Sequence, residues 1–325
     1  MAEVVGVDVA KATFDVAVAL DQAGKFRTRA KLANAAKGFE EFAAWMDKHA
    51  PGAAVCMEAT GHYHEALATF LVGRGTVVHV VNPAQVKYFA KSQLARTKTD
   101  RTDAKLIAQF ARSQATSAKL LRPWVPPTPA QRVLRALVER LEDLKAMEQM
   151  EANRLEVADP AVRGSVEASL KELKQQIKAL EKRINQHIDS DPDLRRDADL
   201  MDSIQGVGKT TAAFLLATLG DLRRFKQPGQ LVAFAGLNPA LRESGTYKGK
   251  VRLSKTGASS LRAKLYMPAL VAMKHNPVIR AFYERLLARG KQPIVGVCAA
   301  MRKLLHLVWG VVHSGKPFDP LHAVA

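Results

Sequence analysis

Four acidic residues stand where carboxylates could act together. Asp8 sits near the end of the apolar run Val4-Val5-Gly6-Val7-Asp8-Val9, and Glu58 closes a second run beginning at Ala53. Asp100 and Asp103 lie three residues apart in a stretch with helical periodicity, and an i, i+3 pair shares one helix face. Taken singly, such an acid is far more often a cap or a solvated side chain; the order and spacing of the set carry the signal. Carboxylate oxygens are the hard ligands that Mg²⁺ requires. Two such ions about 3.5–4 Å apart stabilise both the attacking and the leaving oxygen of a phosphoryl transfer. Serine is the second candidate chemistry. Ser244, Ser254, Ser259 and Ser260 crowd a polar region, and pattern alone does not choose among them, because a serine in such a loop is usually a turn residue.

The elements that must hold the acids are legible. Val4 to Val9, Phe14 to Leu20 and Lys25 to Leu32 read as three strands of an antiparallel meander. A helix over Ala36–His49, a strand over Ala53–Glu58, a helix over Tyr63–Arg74 and a strand over Val77–Val81 add an α/β unit. Lys98 to Arg112 reads as a helix with Ala104, Ile107, Ala108 and Ala111 on one face. Strand-end carboxylates facing a helical Asp pair suit a ribonuclease-H-like sheet.

Pro123-Trp124-Val125-Pro126-Pro127-Thr128-Pro129 is the best domain boundary. Beyond it Leu134, Leu137, Leu141 and Leu144, and later Val166, Leu170, Leu173, Ile177, Leu180, Ile184 and Ile188, form apolar seams. They predict two antiparallel helices hinged near Asp159-Pro160. An ordinary hairpin within one chain explains them too; an assembly surface is the favoured expectation, since little nearby would cover both seams. The expected organisation is α/β plus α: a metal-binding domain over 1–128, a coiled-coil hairpin over 129–192 and a helix-rich domain over 193–325.

The chain has 325 residues and a formal charge of +18. Residues 1–130 contribute +6, residues 131–200 contribute −2 and residues 201–325 contribute +14. Solubility calls for no such asymmetry, whereas a polyanion partner does. Lys248, Lys250, Arg252, Lys255, Arg262 and Lys264 fall together with no acid among them. They suit phosphate contacts, which position nucleic acid without reading its sequence. Gly208-Lys209-Thr210 resembles the end of a phosphate-binding P-loop, but that motif needs Gly where this chain has Ser203. A helix-hairpin-helix-like turn, Gly206-Val207-Gly208 followed by Lys209, is the better reading, its amides free to meet a phosphate. Cys56 and Cys298 lack ligand spacing and read as small core residues. His62 and His64 read as loop or helix-start residues close to Glu58, and Trp309 with Leu304 to Val312 as core. Asp8 and Lys11 interrupt the first apolar stretch, and no uncharged apolar run of about 18 residues follows. The expectation is a cytoplasmic chain with no membrane partner.

Three segments carry a resemblance: Val5-Gly6-Val7-Asp8-Val9-Ala10-Lys11, Met57-Glu58-Ala59-Thr60-Gly61 and Lys98-Thr99-Asp100-Arg101-Thr102-Asp103-Ala104. They resemble the DEDD transposases of bacterial insertion sequences, the insertion sequence 110 family. Ala235-Gly236-Leu237-Asn238-Pro239, Glu243-Ser244-Gly245 and Arg252-Leu253-Ser254-Lys255-Thr256-Gly257 are similar to that family's C-terminal transposase domain. The resemblance implies a bridge-RNA-guided recombinase with a RuvC-like N-terminal domain, working in the bacterial cytoplasm. It implies Mg²⁺, as two ions with Mn²⁺ an acceptable substitute, held by Asp8, Glu58, Asp100 and Asp103. It implies Ser244 as nucleophile, donor and target double-stranded DNA as substrates, a guide RNA, and a homo-oligomer built as a dimer of dimers. Two other readings remain open on the residues. A junction resolvase would share the acids and need no serine; a non-catalytic nucleic-acid binder would need neither.

Overall fold

The computed structural model describes residues 3–21, 25–59, 61–93, 100–114, 121–240, 243–244, 247–249 and 252–321, with backbone alone at 100–102, 243, 247 and 248. The chain divides into two compact units, Met1–Pro126 and Pro127–Ala325, at the proline-rich boundary.

In the first unit β-branched residues alternate in and out of one sheet. β1 (Val4–Val9), β2 (Thr13–Ala19) and β3 (Phe26–Ala33) run as an antiparallel meander, followed by α1 (Ala36–His49). β4 (Ala54–Glu58), α2 (Tyr63–Gly73) and β5 (Val78–Val81) come next, and β4 and β5 lie parallel to β1. The strand order is β3-β2-β1-β4-β5, so β1 is central. Val5, Val7, Val16, Val55 and Met57 pack with Phe39, Phe42 and Leu67 on the α1/α2 side. Val4, Cys56 and Val81 pack on the other side, with Val86 of α3 (Pro83–Ser92) and Ile107, Phe110 and Ala111 of α4 (Asp100–Gln114). Sequence periodicity did not show α3. Its start is nevertheless written in a capping box, where Asn82 accepts from the backbone and Gln85 returns a bond to the Asn82 N–H.

In the second unit α5 (Pro129–Glu156) and α6 (Pro160–Ser190) form the expected antiparallel pair, hinged where Asp159 caps α6. The favoured assembly role for their seams meets a difference. Leu134, Leu137, Leu141, Leu144, Ile177 and Ile184 are buried within the chain, in one cluster with Phe214 and Leu215. The seams face one another, and α8 (Lys209–Leu219) covers what they leave open. The large apolar groups of the hairpin that stay exposed are Val133 near the start of α5 and Met147, Met150, Val157 and Val162 towards the hinge. The hairpin therefore shares the second unit's core.

α7 (Pro192–Asp202), α8 (Lys209–Leu219), a 3-10 turn (Leu222–Arg224) and α9 (Pro228–Phe234) follow. Two small pairings come next, β6 (Pro239–Ala240) with β9 (Arg252–Leu253) and β7 (Glu243–Ser244) with β8 (Tyr247–Lys248). α10 (Ser259–His275), α11 (Pro277–Ala288) and α12 (Pro293–Ser314) complete the unit. α12 is long and apolar enough to cross a membrane by length and composition, which the sequence expectation did not allow. Its Ala300, Leu304, Leu305 and Val308 are fully buried, and Trp309 donates to the Phe225 carbonyl at 2.7 Å, so within this unit it is the core helix.

Candidate active site

Strand register brings the first two acids together. Val7 pairs with Met57, so Asp8 and Glu58 are the next residues along two adjacent parallel strands. Side chains alternate along a strand. Val4, Gly6 and Asp8 therefore share one face with Cys56 and Glu58, the face that α3 and α4 cover. Both acids stand at the carboxyl ends of their strands and both are half-buried.

α4 is oriented by its far end. Arg112, near its C-terminus, donates to the Asp21 carbonyl at 2.7 Å. Asp21 follows β2 at the edge where Val18 pairs Val5, the amino end of β1. α4 thus runs antiparallel to β1, and its N-terminus, with Asp100 and Asp103, lies at the carboxyl end that bears Asp8. The two elements touch at Gly6. A Cβ there would stand 2.3 Å from both the Ala104 oxygen and the Ala108 nitrogen, so only glycine admits this approach. Asp103 precedes that contact by one residue and is half-buried; Asp100 is the first residue of α4, and its side chain lies outside the described residues. Among the described residues no three carboxylate, imidazole or thiol groups gather closely enough to hold a metal ion.

A fifth carboxylate belongs to this face. Asp15 pairs directly across from Asp8 in the β1–β2 ladder. It accepts from the Lys31 backbone N–H at 2.6 Å, where a register shift bulges β3 and Lys31 takes φ +57°. The sequence signal was present: Asp15 interrupts an alternating strand on its polar phase. Like charges directly opposite one another are unfavourable in a sheet, which suits a cation nearby. Cys56, two residues before Glu58 on the same face, is fully buried in the core on the α3/α4 side, and burial pushes its thiol up to about 12. His62 is exposed beside Glu65 at 3.4 Å, and His64 is buried edge-on to Trp124.

The four candidate serines separate in the second unit. Ser244 is exposed on β7, opposite Tyr247 on β8. Ser254 is half-buried at the base of this arm, its hydroxyl donating to the Gly236 carbonyl at 3.4 Å. Ser259 and Ser260 begin α10. The basic cluster also divides. Arg252 and Lys255 are exposed, while the side chains of Lys248 and Lys250 lie outside the described residues. Arg262 donates to the carbonyls of Ala235 and Gly257, and Lys264 is bound by both oxygens of Glu142 at 2.6 and 2.7 Å.

Gly206 and Gly208 bracket the turn between α7 and α8, and Lys209 is the exposed first residue of α8. Gly206 has φ +107°, and a Cβ there would meet the Ala272 Cβ at 2.6 Å and the Pro268 oxygen at 2.8 Å. An open depression of about 490 Å³ lies here, lined by Gly206, Gly208, Thr211, Met267 and Val271. The element directly before Lys209 is the helix α7 and not a strand, so the P-loop likeness has no structural counterpart.

Two family profiles match the chain. One for the DEDD transposases of IS110, described as "Transposase", covers residues 5–158. One described as "Transposase IS116/IS110/IS902 family" covers residues 198–284. The chain is similar to a pilin gene-inverting protein of Moraxella bovis, 31% identical over 320 residues and 97% of each chain. It is also similar to the transposase for insertion sequence element IS1111A of Coxiella burnetii, 27% identical over 304 residues, covering 84% of this chain and 78% of that one.

Proposed function

Since the chain belongs to the IS110 family of insertion-sequence transposases, we propose that it cuts and rejoins DNA through a serine–phosphate intermediate, on a ribonuclease-H-like, RuvC-like acidic domain joined to a serine-bearing helical one. One observation carries the reading: Asp8 and Glu58 share one sheet end, and the Gly6 contact docks the helix bearing Asp100 and Asp103 there. Their oxygens are the right donors for Mg²⁺ or Mn²⁺, and the opposed Asp8 and Asp15 add the negative charge that a divalent ion offsets. When bound, such ions supply charge neutralisation at the scissile phosphate.

Ser244 is the nucleophile in this reading. Its Oγ forms a bond to phosphorus while one ester bond of the strand breaks. The serine's proton leaves to solvent, and the departing strand end takes one up as a free hydroxyl. A hydroxyl of the incoming strand then attacks the phosphoserine and restores the serine. Each step exchanges one phosphate ester for another, so no nucleotide hydrolysis is needed. The packing of Ser254 into the arm's base argues against that residue. Ser244, Ser259 and Ser260 are all exposed, and the family likeness of Glu243-Ser244-Gly245 supports Ser244 among them.

Gly206, Gly208, Lys209, Arg252 and Lys255 are the accessible candidates for backbone phosphates, with Lys248 and Lys250 beside them in sequence. They act on DNA or on a guide RNA, in an assembly of several copies. Arg262 and Lys264 already spend donors within the chain.

The test uses full-length protein with its co-purifying RNA and a duplex spanning the joined ends of the element. Wild type is expected to give a covalent protein–DNA adduct that Ser244→Ala loses and Asp8→Asn slows by at least about 10²-fold. Normal cleavage by Ser244→Ala would sink the serine chemistry. Normal cleavage by Asp8→Asn with Mg²⁺ present would sink the metal assignment, and the absence of any specific RNA would sink the guided reading.

A further inference from the structure

The arm bearing Ser244 leaves and re-enters the helical unit through one narrow base. Three backbone bonds zip it: Ala258 N–H to the Phe234 carbonyl at 2.9 Å, Lys255 N–H to Gly236 at 3.2 Å, and Ser254 N–H to Asn238 at 2.9 Å. The pairs Pro239–Leu253 and Ala240–Arg252 continue it outward. Two glycines permit the approach. Gly236 has φ +66° and Gly257 φ +147°; a Cβ on Gly257 would lie 2.3 Å from the Phe234 oxygen and 2.7 Å from the Gly236 nitrogen. Lys255 between them also takes a positive φ, +54°. A non-glycine residue such as Lys255 at positive φ persists only where its surroundings over-determine it.

Arg262, in the first turns of α10, supplies that constraint from the side. Its Nη1 donates to the Ala235 carbonyl on the outgoing chain at 3.0 Å and to the Gly257 carbonyl on the returning chain at 3.3 Å. The same nitrogen lies 2.6 Å from where a Gly236 Cβ would be, so the guanidinium fills the space that this glycine leaves. A guanidinium is planar, permanently charged and rich in donors, so it can hold two carbonyls in a fixed relation; an ammonium is a less directional point charge.

We propose that Arg262 is the positioning residue of the Ser244 arm: it clasps the two chains at the base and so sets the direction in which the serine is presented to a phosphate. This rests on Ser244 being the nucleophile. Arg262 contacts neither end of the reaction, so its loss acts on bond making rather than on DNA affinity. A residue that merely bound a phosphate would behave the opposite way.

The experiment compares Arg262→Met, which keeps the stem and removes the donors, with Arg262→Lys, Gly257→Ala and Ser244→Ala. All are full-length, with co-purifying RNA and the duplex described above. The readouts are the single-turnover rate of adduct formation at saturating DNA, Kd across a salt series, and the melting temperature. Arg262→Met is expected to slow adduct formation by roughly 10²-fold, the scale of a misplacement of about one ångström, with Kd and its salt slope unchanged. Arg262→Lys is expected to recover part of that rate. Gly257→Ala, which disturbs the same base without touching charge, is expected to reproduce the rate loss, and it decides the matter should the Met variant not fold. An adduct rate within twofold of wild type in Arg262→Met or Gly257→Ala overturns the clasp. So does a weaker Kd with a shallower salt slope and a normal saturated rate, which would give Arg262 to a phosphate. Adduct retained by Ser244→Ala would instead overturn the nucleophile assignment and, with it, this proposal.

Discussion

Gly6→Ala tests whether the acidic face depends on one close approach. The new Cβ would stand 2.3 Å from the Ala104 oxygen and the Ala108 nitrogen, and 2.9 Å from the Ala108 Cα, where ordinary contact begins at 3.4 Å. The contact must open by about 1.1 Å. All three neighbours are helix backbone, so no side chain can rotate aside and α4 must shift as a body or β1 must bend. Overfilling a packed contact of this kind costs about 1–3 kcal/mol, or a fall of at least about 3 °C in the melting temperature of the first unit. Asp103 adjoins Ala104 and moves with the helix. A displacement of about one ångström at a reacting centre costs on the order of 10²-fold in rate. The assay pairs thermal unfolding of the full chain with DNA cleavage well below the melting temperature. Normal stability would refute the packing argument. Lost stability with a normal cleavage rate would refute the claim that Asp103 works with Asp8 and Glu58.

Three further outcomes are expected. Gly206→Ala strains a φ of +107° and drives a Cβ into Ala272 and Pro268; unfolding measurements should show a loss of about 1–3 kcal/mol. Lys264→Ala should cost about 1 kcal/mol, discounted for solvent screening of a half-exposed pair with Glu142, and should leave the salt slope of DNA binding unchanged. Cys298 is half-buried and Cys56 fully buried, so alkylation at pH 8 followed by mass spectrometry should label Cys298 first and Cys56 only on unfolding. Since burial raises the Cys56 thiol from 9.0 to about 12, it is protonated in both states below pH 9. Above that the unfolded chain loses its proton first, so this contribution to stability falls between pH 9 and about 12.

Much of this molecule was determined by the sequence alone. Short apolar runs bounded by turn residues, alternation in the outer strands and the 3.6-residue period located β1, β2, β3, α1, β4, α2, β5 and α4 to within a residue or two, because elements that must bury apolar faces leave little choice of pattern. The hinge at Asp159-Pro160 and the boundary at the clustered prolines were equally legible, since proline removes a donor and fixes φ. Local pattern could not reach what depends on approach between distant segments. It proposed the acids as one group, but only register set Glu58 beside Asp8 and only the Gly6 contact docked α4. It missed α3, whose signal is a cap rather than a period. It ranked four serines and six cations alike, because each looks the same from within its own loop. Tertiary structure separated some of them: Ser254, Arg262 and Lys264 are spent on carbonyls and a carboxylate inside the fold, while Ser244, Ser259, Ser260, Arg252 and Lys255 stand exposed. Composition counts charges and hydroxyls; packing decides which of them still face outward.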